Sequence, residues 1–204
     1  MSRIAPASTE LRDYYSERST WRHSGEERMR FRKATALARV KPGAAVLDIG
    51  ARDGGLRAFL PADVRYQGMD IAPEFASDHV LIRDIADGLP FADGTFDNIF
   101  MIEVLEHVHN PWNALTEIRR VLRPDGVFVL SVPNPYHVKE LIWNLFRIPD
   151  RQGHIFSWTR QAMTKLAEMN GFRLDASGGT YLHPPVPMTA LLARSIVYRF
   201  VKLQ

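Results

Sequence analysis

Apolar residues come in short runs from residue 44 onward, each run closed by glycine, proline or aspartate and followed by a stretch with helical spacing. "AVLDI" (45–49) predicts a buried strand, and "GLRAFL" (55–60) a helix behind it. Residues 64–70, 79–84, 96–102 and 127–132 predict four more strands. A helix over 110–122 has Pro111 in its first turn, where its missing N–H is harmless. Upstream, 8–20 and 26–40 predict helices; Ser24 is a candidate cap for the second, and "KPG" (41–43) ends it. After residue 133 the pattern loosens into an amphipathic insert (138–147), a helix (159–171) stopped by Gly171, and a strand (172–182). Short apolar strands alternating with helices predict an open, mostly parallel α/β sheet covered on both faces.

Composition narrows this picture. A chain of 204 residues bounds a single domain with appendages. The reading is a helical cap (1–43), a core (44–182) with an insert at 134–157, and an extension (183–204). Hydrophobic residues at 46% and charged residues at 24% fit a soluble globular chain. The absence of cysteine excludes disulfides, thiolate zinc sites and cysteine nucleophiles, and fits a reducing cytoplasm. The N-terminus has no apolar h-region, and no apolar run is long enough to span a membrane. The net charge is only +3, and the basic stretch 22–41 has glutamates interleaved, as a solvated helix face does.

The polar residues of chemical interest fall at strand ends, where open α/β sheets bind ligands. Asp48, Asp70, Asp84 and Glu103 close the first four strands. Asp70 lies about 20 residues beyond a glycine turn, placed to accept hydrogen bonds from a ribose's vicinal hydroxyls. The turn itself, "GARDGG" (50–55), departs from the dinucleotide spacing G-x-G-x-x-G. That argues against a pyrophosphate and for a nucleoside ligand.

Over about residues 44–180 the chain resembles the class I S-adenosylmethionine (SAM)-dependent methyltransferases of the small-molecule type. The likeness rests on "VLDIGARDG", "YQGMDIAPE", "RDIADGLPFADGTFDNIFMIEVLEHVHNP" and "ALTEIRRVLRPDGVFVLSVPN", in that order. It implies a Rossmann-like fold with SAM as cofactor. Asp48 and Gly50, with Arg52 and Gly54 in the same turn, would surround the amino-acid part of SAM. Asp70 would bind the ribose, Ile71 would lie on the adenine, and Asp84 would accept from its amino group with Ile85 alongside. Glu103 would face the methionine moiety and the acceptor. Arg52 stands where the family more often has glycine. A positive φ there would strain arginine; alternatively its guanidinium could pair with the cofactor's carboxylate.

Methyl transfer to a hydroxyl needs positioning and a route for the proton. In "IEVLEHVHN", Glu103, Glu106 and His107 have i, i+3, i+4 spacing and would share one face of a helical turn. The run is similar to one in ubiquinone-biosynthesis O-methyltransferases and small-RNA 2′-O-methyltransferases. There a Glu-x-x-Glu-His run and a later histidine bind a divalent ion, which implies Glu103, Glu106, His107 and His154 as ligands for Mg²⁺, Mn²⁺ or Zn²⁺. "EVLEH" also occurs in members that need no metal. Glu106 then faces solvent, and His107 is a pocket wall or the base. His137, after "PNPY", is the second candidate base. His109 reads as a helix-start residue, and His23, His79 and His183 as surface or loop positions.

Acceptor choice falls to the appendages. Tyr14, Tyr15, Trp21, Tyr136, Trp143 and Phe146 would line an aromatic or lipid-like pocket, or else join the core. Residues 187–204, wound as a helix, separate apolar residues from Arg194, Arg199 and Lys202, as a membrane-surface helix does. The preferred reading packs that half on the protein's own sheet or on a second subunit, as in a homodimer; 198–203 as a last strand is equally open. The expectation is a cytoplasmic SAM-dependent methyltransferase acting on a small-molecule hydroxyl, with His107 taking the proton. The alternatives are a metal-dependent RNA 2′-O-methyltransferase and a SAM-binding regulator or scaffold without turnover. The lack of an arginine-rich tract or RNA module argues against nucleic acid.

Overall fold

The sheet forms from strands apolar enough to be covered on both faces. β1 (Ala45–Ile49) is buried along its whole length, as a central parallel strand between two helical layers must be. The computed structural model describes residues 25–148, 153–180 and 193–203. Around β1 lie β2 (Arg65–Asp70), β3 (Val80–Ile82), β4 (Phe96–Ile102), β5 (Leu122–Pro133), β6 (Phe172–Gly179) and β7 (Ser195–Lys202), in the spatial order β3-β2-β1-β4-β5-β7-β6. The first five strands are parallel, and β7 runs antiparallel between β5 and β6. Strand order reverses between β1 and β4, so the crevice for a ligand opens at their carboxyl ends.

Side chains leave each strand alternately to the two faces. Leu47, Ile99, Met101, Phe128 and Leu130 join one core with α2 (Pro111–Val121) and α4 (Arg160–Met169). Val46, Phe100, Val127, Val129 and Val197 join the other with Phe31, Ala34 and Ala38 of α1 (Gly25–Ala38). Asn110 caps α2 and Thr159 caps α4 through their side-chain oxygens. The short α3 (Val138–Leu145) buries none of its residues.

One expectation changes, and one open choice is decided. Residues 55–59 form a 3₁₀ turn and not a helix; the segment enters through Gly54 in the left-handed region and stops before Pro61, which disfavours helix at the residue ahead of it. Residues 195–202 are a strand, so no membrane-surface helix forms there. Ile196, Tyr198 and Phe200 face one core and Val197 the other, a period of two hidden in a pattern that also fits a helix. The helix expected at 8–20 lies outside the described residues, as do Tyr14, Tyr15, Trp21, His23, His183 and residues 187–192. Among the described residues no helix is long and apolar enough to cross a membrane.

Candidate functional site

At the carboxyl ends of β1, β2 and β4 lies a cavity of about 640 Å³. Of the residues expected to bind the cofactor, Asp48, Gly50, Arg52, Asp70, Ile71, Asp84, Ile85 and Glu103 all line it; Gly54 does not. Gly54 instead opens the 3₁₀ turn behind it.

The turn after β1 is fixed from both sides. Gly50 has φ 76°, and a Cβ there would meet Val104 Cγ2 at 2.2 Å, so glycine is required by backbone and packing alike. Arg52 does adopt the strained conformation, with φ 50°, which costs about 1–2 kcal/mol for a side chain. The surroundings hold it there. Its N–H donates to Asp70 Oδ2 at 2.8 Å, its guanidinium lies 3.5 Å from Glu27 Oε1, and it stands 5.7 Å from the Phe75 ring centre. The guanidinium therefore has an acidic partner within the chain, supplied by α1.

The carboxylates are individually tied. Asp70 Oδ1 accepts from the Ala72 N–H at 2.9 Å; burial pushes its carboxyl up while the N–H donors of Ala72 and Arg52 hold it down. Asp48 Oδ2 accepts from the Tyr66 hydroxyl at 2.8 Å. Burial raises Asp48 to about 7, opposed by that hydrogen bond and reinforced by the Asp70 charge. Asp84 accepts from the Ala86 N–H at 2.8 Å and so caps its own turn. Glu103, at φ 56°, accepts from the Ser131 hydroxyl at 2.6 Å and the Ser195 hydroxyl at 3.1 Å, with Arg30 4.0 Å away. Tyr66, Ser131, Ser195, Arg30 and Glu27 were not singled out in the sequence. Only the folded pairings bring them here.

The far wall is built differently. Residues 105–107 form a 3₁₀ turn, so the expected α-helical face of Glu103, Glu106 and His107 does not exist. Glu106 is 1% exposed, not solvent-facing, because the Ile155 and Phe156 N–H groups fold over and donate to its carbonyl. Among the described residues, neither of its carboxylate oxygens has a hydrogen-bond partner. Burial, and next the Glu103 charge, push its carboxyl well above the usual range. His107 Nε2 lies 4.0 Å from Glu106 Oε1, and its Nδ1 is 3.0 Å from the Gly153 carbonyl. The His154 ring is 5.0 Å from that of His107. Ligand atoms of Glu106, His107 and His154 lie within 4.8 Å of one another; Glu103, the fourth expected ligand, is outside that group.

His137 does not reach the cavity. Its Nδ1 accepts from the Lys139 N–H at 3.3 Å and caps α3. His109 does line the cavity, beyond its expected role ahead of α2. Tyr136, Trp143 and Phe146 are not part of the lining.

A family model of methyltransferase domains matches residues 21–177. An uncharacterized methyltransferase of Mycobacterium avium is 37% identical over 99 residues, covering 44% of this chain and 39% of its own. The 2-methyl-6-phytyl-1,4-hydroquinone methyltransferase of Synechocystis is 28% identical over 156 residues, covering 70% and 48%. The chain thus spans less than half the length of these curated relatives. A Burkholderia thailandensis 1,6-didemethyltoxoflavin-N1-methyltransferase, solved with 1,6-didemethyltoxoflavin and S-adenosylhomocysteine bound, superposes with a TM-score of 0.69 at 21% identity, covering 100% of this chain and 94% of that one. At that identity the likeness shows the fold.

Proposed function

The chain belongs to the class I SAM-dependent methyltransferase family, and from that premise we propose that it transfers the methyl group of SAM to a hydroxyl of a small-molecule acceptor. The observation that carries the reading is one cavity with two unlike walls: a ribose-ready Asp70 beside β1, and the Glu106–His107–His154 group across from it. Asp48, Asp70 and Glu103 line the cofactor wall, which suits a cationic ligand such as a sulfonium.

The acceptor oxygen attacks the methyl carbon in line, the carbon–sulfur bond breaks, and S-adenosylhomocysteine leaves as a neutral thioether. The acceptor's proton goes to His107. A carbonyl can only accept, so Nδ1 donates to Gly153 and Nε2 is left to take the proton. The names of one relative, a 2-methyl-6-phytyl-1,4-hydroquinone methyltransferase, and of one structural neighbour, a 1,6-didemethyltoxoflavin-N1-methyltransferase, support a small, partly aromatic acceptor.

A divalent ion is the second reading, favoured by Glu106. A buried carboxylate with both oxygens unpartnered among the described residues, beside two imidazoles, fits a metal's donor set. Glu106, His107 and His154 would hold it, and when bound it would lower the pKa of the acceptor hydroxyl.

The test is calorimetric titration of wild type and Asp70→Ala with SAM and S-adenosylhomocysteine, then labelled-methyl transfer to phenols and hydroquinones with and without chelator. Binding should be saturable and weaken about 100-fold in the variant, as expected for losing two charge-assisted hydrogen bonds. A folded protein that binds neither compound overturns the reading. Binding without transfer to any hydroxyl leaves a SAM-binding protein of another role.

A further inference from the structure

In α3 the usual orientation of an amphipathic helix is reversed. Val138, Leu141, Ile142 and Leu145 follow i, i+3, i+4, i+7 spacing, the stripe that normally packs inward. In α2 the corresponding residues, Ala114, Leu115, Ile118 and Val121, are all buried. In α3 the stripe faces outward, and the chain beyond it continues the patch: Leu145 is 76% and Phe146 70% exposed, with Ile148 exposed as well. The other side is half-buried at Lys139, Glu140 and Trp143. Glu140 lines the cavity, and the Lys139 ammonium sits 3.9 Å from the centre of the Trp143 ring.

From this we propose that α3 and the residues just after it form a docking surface for a bilayer with anionic headgroups, and that the acceptor is drawn from that bilayer as a lipid-linked hydroxyl compound. The proposal deepens the reading of the site given above and rests on it. An aliphatic stripe flanked by Lys139 and Arg147 has the chemistry of a helix lying in a membrane interface: apolar side chains among the acyl chains, cations at the phosphate level. A second copy of the chain is the poorer occupant. The eight residues of α3 and the three after it fall well short of the roughly 20–30 residues a side that a specific dimer interface uses. The location supports the same choice. Because Glu140 of α3 and His154 of the neighbouring segment both line the cavity, a headgroup lifted from the interface would reach the His107 side without crossing the cofactor wall.

The test is sedimentation of the full chain with vesicles of phosphatidylcholine alone and of phosphatidylcholine mixed with phosphatidylglycerol. Wild type should bind the mixed vesicles, less so at high salt. Leu145→Glu combined with Phe146→Glu should weaken that binding at least tenfold while SAM titrates as in wild type, which also certifies folding. Arg147→Glu, which leaves the stripe intact, should weaken binding to the anionic vesicles alone. Wild type that stays in the supernatant, or variants that bind as wild type does, overturns the proposal. So does a wild-type dimer that the double variant dissolves, which would make the face an interface between copies. Failure of vesicle binding with intact transfer to soluble hydroquinones sinks this inference and spares the site reading; vesicle binding without SAM binding sinks the site reading, and with it the lipid-linked acceptor, and leaves only the docking surface standing.

Discussion

The two walls of the cavity handle buried charge in opposite ways. On the cofactor wall the chain answers every carboxylate itself: Ala72 and Arg52 N–H groups for Asp70, Tyr66 for Asp48, the Ala86 N–H for Asp84, and two serine hydroxyls for Glu103. Three residues beyond Glu103, Glu106 is buried more deeply than any of them and its oxygens receive no hydrogen bond among the described residues. A buried polar group without a partner is destabilising by 1–3 kcal/mol or more. The first wall is therefore finished by folding, whereas the second keeps a buried group that folding leaves unanswered among the described residues, as the proposed acceptor role for it requires.

The largest expected effect concerns protons. Asp48 is held near 7 in the folded chain but reverts to about 4 when unfolded. Between those values the folded state binds the extra proton, so stability falls as pH rises from about 4 to 7 and levels off above. Three pKa units correspond to roughly 4 kcal/mol. Urea unfolding across that range should show the decline, and Asp48→Asn should make it shallower, leaving the part that belongs to Asp70 and Glu106, whose carboxyls burial also raises. Saturating SAM, whose net charge is positive, should draw the proton off, so the binding heat near pH 6 should depend on the buffer's ionisation enthalpy. A slope as steep in Asp48→Asn as in wild type would assign the whole effect to other groups.

Next in size is Gly50→Ala. A Cβ at φ 76° and 2.2 Å from Val104 Cγ2 combines left-handed strain with overpacking, about 3 kcal/mol in all. Melting temperature and SAM affinity should both drop. Adding Val104→Ala should recover the packing part and leave the backbone part. If it recovers nothing, the turn is held by something other than that contact.

Most of the lining along β1 and β2 was legible in the sequence, and much of the rest was not. Asp48 and Asp70 were legible because each closes an apolar run, and strand ends converge wherever a parallel sheet forms. Glu103 was legible by the same logic, but its partners were not. Ser131 and Ser195 lie 28 and 92 residues away, and Ser195 arrives only because β7 inserts antiparallel between β5 and β6. The burial of Glu106 depends on residues 155 and 156 folding back over it, which no local pattern announces. For α3 the spacing foretold an amphipathic helix, yet periodicity fixes only that two faces differ, not which one meets the protein.

Glu106→Gln tests the acceptor wall directly. The change keeps size and removes a buried ionisable group, so the protein should melt no lower than wild type. SAM affinity should be unchanged, while methyl transfer should fall about 100-fold, the range for losing an acid–base or ligand group. A matching loss of SAM affinity would dissolve the distinction between the walls. It would place Glu106 with Asp70 and Glu103 in holding the cofactor.

The smallest effect belongs to Arg52→Gly and asks whether the cofactor wall is finished at some cost in strain. Glycine relieves a φ of 50°, a gain of about 1–2 kcal/mol. Against this stand the added flexibility of the unfolded chain, about 0.5–1 kcal/mol, and a partly exposed pair with Glu27 worth at most about 1 kcal/mol. The balance is a stability change within about 1 kcal/mol of zero. The Asp70 hydrogen bond comes from the backbone of residue 52 and survives the substitution, so SAM affinity should hold. A marked loss of affinity at unchanged stability would mean that the guanidinium leaves Glu27 for the cofactor's carboxylate when SAM binds. The arginine would then be a ligand-binding residue in its own right, and its strained backbone would serve to present it.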